Sequence, residues 1–326
     1  MAISNYEHGF KNGVTIRGVP VEISHPGRVF WVGNNTVRLD NEKTSADGND
    51  GTFLAPYSTI MGAYAAGATK AGRGDIIFVR PGYTETLSSA TLWALNKADV
   101  AIVGLGAGTS RPTITLSAAT ATATVSAANN AVRNMIFVAN ADDVAALFTL
   151  TTAKNFSVED CEIKDTSASL NMLVVIETNA TDNAADGLFV ARNVINLLKA
   201  TANKLVKVDG SLDNLVVRDN YMRTASTSTT VGMVEVPLGA DVLTNMRIER
   251  NFYRANAAMA AGIFVTSAGA MSTATGVVID NVAAISATST AIAIVVSTGV
   301  ASVQNYAHKA VGSVAAVRIP AAAAAD

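Results

Sequence analysis

The 326-residue sequence carries 24 Lys and Arg against 26 Asp and Glu, a net charge of −2, with only 15% charged and 6% aromatic residues. That balance, with no Lys/Arg cluster, excludes the basic stripe of a nucleic-acid-binding surface. The single Cys161 excludes an intrachain disulfide framework.

In chain order, the opening "MAISNYEHGF" has no basic start followed by an apolar run, so no signal peptide is expected. No apolar tract is long enough to span a bilayer; a soluble protein made in a cytoplasm, with no membrane partner, is expected. Residues 1–30 are broken by Gly9, Gly13, Gly18, Pro20, Pro26 and Gly27. They read either as a frayed terminus or extra strand, or as an extended arm that docks by strand addition. In the second case Tyr6, Phe10, Val14, Ile16 and Val19 are its apolar anchors. A helix is predicted over 58–71, started by Ser58 and ended by Gly72. "DIIFVR" (75–80) follows as a buried strand, and Pro81-Gly82 forces a turn. A helix just before the first strand would cover a sheet edge that is otherwise open to aggregation.

From residue 134 the chain repeats itself. "NMIFVAN", "NFSVEDC", "GLFVARN", "NLVVRDN", "NMRIERN", "GVVIDN" and "ASVQN" close on Asn140, Cys161, Asn193, Asn220, Asn251, Asn281 and Asn305, at spacings between 21 and 32 residues. A second strand-like segment follows each, among them "AALFTL", "MLVVIE" and "GMVEV". The predicted unit is strand, bend at Asn, strand, then a variable loop.

Constant strand cores with uneven loops predict an all-β, right-handed parallel β-helix whose turns stack about 4.8 Å apart. Asn tolerates the left-handed bend, and its amide can bond to the Asn one turn away, as in cross-β ladders. A β-sandwich is the alternative; propeller blades need four strands each. The predicted organisation is an arm over 1–30, a β-helix over 31–319 and a low-complexity tail, "PAAAAAD", over 320–326.

The run from Gly51 to Glu85, with "PYSTI", a short helix and "GDIIFVRPGYTETL", resembles the entry of the pectin-lyase-like right-handed β-helix superfamily. Such entries are common in bacteriophage tailspikes and other virion proteins, and the first 30 residues look like N-terminal segments of phage structural proteins. The resemblance implies a homotrimeric virion protein partnered by the major capsid protein or other virion components.

Enzymes on this fold place carboxylates with His, Arg or Lys on the outer face of neighbouring turns. The candidates are Asp142-Asp143, Glu159-Asp160, Glu162, Asp165, Asp219 and Glu249. Asp160, Arg192, Asp219 and Arg250 fall at one repeat position and predict a structural charge ladder. His8, His25 and His308 have no metal-ligand spacing, and "GLGAG" (104–108) reads as a turn. The Asn-Thr-Asp and Gly-His-Gly motifs of pectinolytic relatives are absent. Tyr221 and Phe252 read as rungs stacked in one register.

The expectation is therefore a non-enzymatic capsid decoration (cement) protein with no catalytic residue, metal or cofactor. The rivals are a tailspike or tail-fibre domain that binds or cleaves host polysaccharide, and a bacterial polysaccharide lyase.

Overall fold

The computed structural model describes residues 14–16, 19–21, 27–34, 42–65, 69–200, 203–227, 232–255, 262–267, 273–285, 292–294, 299–309 and 317–318. Its architecture is the all-β, right-handed parallel β-helix that the repeat predicts. Three sheets of ten, ten and eight strands wind around one core. Each turn adds one strand to each sheet. In one turn these are Val216–Arg218 on the first sheet, Tyr221–Thr224 on the second and Val234–Val236 on the third. The turn therefore has three strands where the sequence predicts two. "YMRT" escapes a pattern search because only Met222 and Thr224 point inward while Tyr221 and Arg223 face solvent.

The register explains why one template fits so many turns. On the first sheet Ile77, Ile102, Val132, Val158, Val190, Val217, Ile248 and Val278 lie one above another through successive parallel pairings. All are buried. Every one is β-branched, the shape that packs best against identical neighbours on a pleated surface. Larger side chains fill the early turns, where Trp93, Phe137, Phe148 and Phe156 meet edge to face at 5.3–6.2 Å. Ala283 and Ala307 occupy the equivalent inner positions of the last turns.

The capping helix is present but shorter than predicted, Ile60–Ala65; residues 66–68 of the predicted span lie outside the described residues. It packs on the first strand of each flanking sheet. Thr59, not Ser58, caps it, with Oγ1 accepting Gly62 N–H at 2.7 Å. Asp47 holds this start from upstream, accepting the backbone N–H groups of Ser58 and Thr59 at 3.0 and 2.9 Å. Glu85 braces it from the second sheet, accepting Tyr83 O–H at 2.6 Å and Trp93 Nε1–H at 3.1 Å.

Within the N-terminal segment, Val14–Ile16 and Val19–Val21 pair as a small antiparallel ribbon, Val14 opposite Val21 and Ile16 opposite Val19. Tyr6, Phe10, His8, His25 and the 320–326 tail lie outside the described residues. Among the described residues no helix is long and apolar enough to cross a membrane.

Candidate functional site

The tight corner between the first and second sheets positions every exposed side chain of interest. At this corner one residue adopts a left-handed conformation, with φ of 57° at Asp160, 56° at Arg192, 56° at Asp219 and 52° at Arg250. The residue after it points inward, and there the Asn ladder stands. Asn220 Oδ1 accepts the backbone N–H and the Nδ2–H of Asn193, both at 3.0 Å. Asn220 Nδ2 donates to Val190 O at 2.9 Å and to Asn251 Oδ1 at 3.0 Å. Asn251, Asn281 and Asn305 continue the same pattern. The amide is used because one side chain must both donate and accept to satisfy a buried bend.

Two details differ from the sequence reading. The left-handed residue is the one before each ladder Asn, charged at Arg192, Asp219, Arg250 and Asp280 and Gln304 in the last turn, not the Asn itself. Asn140 is exposed and stands outside the ladder. Because Ile136 pairs with Glu162, Met135 holds the position one turn before Cys161. Asn134 and Asn140 mimic the template five residues out of register. The ladder ends at Cys161, whose N–H donates to Asn193 Oδ1 at 3.0 Å, and burial pushes its thiol up to about 12.

Outside this corner runs the predicted charge ladder. Arg192 donates Nε–H to Asp160 at 2.8 Å and Nη2–H to Glu159 at 2.6 Å; Arg250 grips Asp219 at 2.7 and 3.0 Å. The Arg250 hydrogen bond and charge hold the Asp219 carboxyl below its ordinary 3.8. Glu249, only 2% exposed, lies between Arg247 at 2.6 Å and Arg250 at 3.1 Å. Glu162 pairs with Arg111 and Lys164, and the Asp142-Asp143 turn is held by Lys199. Asp165 is buried and accepts Met172 and Leu198 N–H groups at 2.9 and 2.7 Å. Burial raises its pKa to about 6.

The feature that sequence reasoning passed over lies immediately beyond the ladder. The first residue of each second-sheet strand points outward, and Val194, Tyr221, Phe252, Val282 and Tyr306 fall in direct register. Val194, Tyr221 and Tyr306 are 51%, 43% and 40% exposed. Tyr221 and Phe252 stack with ring centroids 5.0 Å apart and planes 3° from parallel. Four strand spacings make this apolar ridge about 19 Å long. Two residues further along, Arg223 and Arg254 are also in register and exposed. Their side chains make no ion pair or hydrogen bond among the described residues. A sequence signal was available: each ladder Asn is followed by two apolar residues in "NVI", "NYM" and "NFY", and alternation forces one of the two outward.

The chain matches no family model and no curated protein. Among solved structures it is similar to a rhamnogalacturonan lyase, at 11% identity and a TM-score of 0.37 over 86% of this chain and 87% of that one. It is also similar to pectate lyase Pel9A, at 13% identity and a TM-score of 0.39 over 81% and 78%. A third likeness is to a GH136 lacto-N-biosidase from Eubacterium ramulus, at 8% identity and a TM-score of 0.26 over 86% and 68%. These likenesses describe a shared winding and assign no reaction. They correct one expectation: the exclusion of enzymatic activity is withdrawn, because the proteins matched over most of the chain are enzymes by name.

Proposed function

We propose that this chain is a β-helical subunit that decorates a larger particle, of the kind found on phage capsids, and docks there through its exposed second-sheet ridge. The observation that carries this reading is the ridge itself. A contiguous exposed apolar stripe held in register by a stacked sheet is characteristic of an interaction surface. The resemblance of the entry region and the first 30 residues to virion proteins supports the particle setting, and a homotrimer with shell-protein partners belongs to the same proposal.

A tailspike-like polysaccharide binder is the second reading, favoured by the two exposed arginines beside the ridge. The stacking of Tyr221 on Phe252 weighs against it. Each ring has one face covered by the other, so neither offers both faces to a sugar.

The deciding experiment is quantitative mass spectrometry of intact, purified phage particles carrying the chain. A copy number comparable to that of the shell protein is expected. Recovery in only a few copies at the tail, together with retention of host polysaccharide, would overturn the decoration reading.

A further inference from the structure

Resting on the docking role proposed above, we infer the chemistry of the partner: the ridge and its two arginines receive an acidic, apolar-containing segment of another protein. Arg223 and Arg254 carry the argument. At the neighbouring corner both arginines are neutralised, Arg192 by Asp160 and Glu159, and Arg250 by Asp219 and Glu249. Arg223 and Arg254 instead face each other directly across adjacent strands with no carboxylate between them. Like charges placed opposite one another destabilise a sheet, and a bound anion converts that cost into two charge-assisted hydrogen bonds.

The surroundings select the kind of anion. The guanidinium column runs parallel to the apolar column, one residue pair away along each strand. A complementary ligand therefore presents carboxylates on one side and apolar groups on the other, repeating at about the 4.8 Å strand spacing. A peptide segment mixing Glu or Asp with aromatic or aliphatic residues has this character. A free inorganic anion lacks the apolar half, and a sugar chain meets rings already stacked on each other.

A second copy of this chain fits poorly. Among its aspartates, Asp182, Asp209 and Asp241 lie in the loops joining the third sheet to the first, and Asp213 lies on the short strand Leu212–Asp213 within them. That corner is opposite the second sheet. The acidic partner is a different protein.

The test uses the full chain and three soluble probes: a random Glu/Tyr copolymer, poly-glutamate and polygalacturonate, titrated at low and high salt. The copolymer should bind most tightly, with affinity falling as salt rises. R223Q/R254Q should weaken it at least about tenfold, equivalent to about 1.4 kcal/mol, while the melting temperature stays at or above the parent value. Y221S should remove the advantage of the copolymer over poly-glutamate. Polygalacturonate binding as tightly as the copolymer overturns the inference in favour of a glycan. Equal binding by parent and R223Q/R254Q overturns it outright. Either failure leaves the particle copy number untouched, so the docking role and the partner chemistry are judged separately.

Discussion

Asn220→Ala tests the corner ladder at its centre. Asn220 is 2% exposed and makes four side-chain hydrogen bonds of 2.9–3.0 Å, to Asn193 N and Nδ2, Val190 O and Asn251 Oδ1. A buried hydrogen bond contributes about 1 kcal/mol net, so their loss costs about 4 kcal/mol. The Asn193 backbone N–H suffers most, because it has no other acceptor within the bend and becomes a buried orphan. Urea unfolding monitored by circular dichroism, combined with amide exchange at Asn193, measures both parts. Asn140→Ala is the control, expected to stay within about 0.5 kcal/mol because that side chain is exposed. A loss under about 1 kcal/mol in Asn220→Ala, with Asn193 protection unchanged, would refute the reasoning.

Three further outcomes are expected. Cys161→Asn should extend the ladder by one link, since its amide would lie between Asn193 Oδ1 and Val132 O, to which the thiol now reaches at 3.9 Å; the urea midpoint should rise, by about 1 kcal/mol, and a fall would count against it. Tyr253→Phe removes a buried hydroxyl that has no partner among the described residues, so a gain of about 1 kcal/mol is expected in the same assay. With pH, Asp219 and Asp165 act in opposite directions. Asp219 is held below 3.8, so its contribution is complete above that value and is lost as pH falls through its folded pKa. Asp165 is raised from 3.8 to about 6, so the folded state holds its proton more tightly and stability from this group rises as pH falls from 6 to 3.8. Asp165→Asn should flatten that segment of the stability profile, and an unchanged slope would refute the assignment.

The ladder from Asn193 to Asn281 was legible because each member follows a strand whose inward residue is Val or Ile, a pattern that survives variable loops; before Asn305 that position is Ser302. Asn140 misled for the same reason: "NMIFVAN" satisfies the template while straddling the corner. The pairing of Asp219 with Arg250 was legible because both occupy one repeat position. The ridge was not. Tyr221 and Phe252 read as stacked rungs, and the two apolar residues after each ladder Asn were the one signal that a further strand turned one face to solvent. The capping helix was drawn too wide, since Ser58 and Gly72 offered start and stop signals outside Ile60–Ala65, the helical span among the described residues.

The sequence by itself determined the winding. In a solenoid each turn touches only its neighbours, so a pattern recurring once per turn specifies both the core and the corner that joins two sheets. Tertiary structure decided which outward residues meet. Tyr221 reaches Phe252, and Arg223 faces Arg254, only because their strands pair in one particular register. A slip of one residue would turn the ridge inward and bring Met222 and Tyr253 to the surface. Register is fixed by the loops and the core together, across 31 residues of chain, and no local stretch of the sequence contains it.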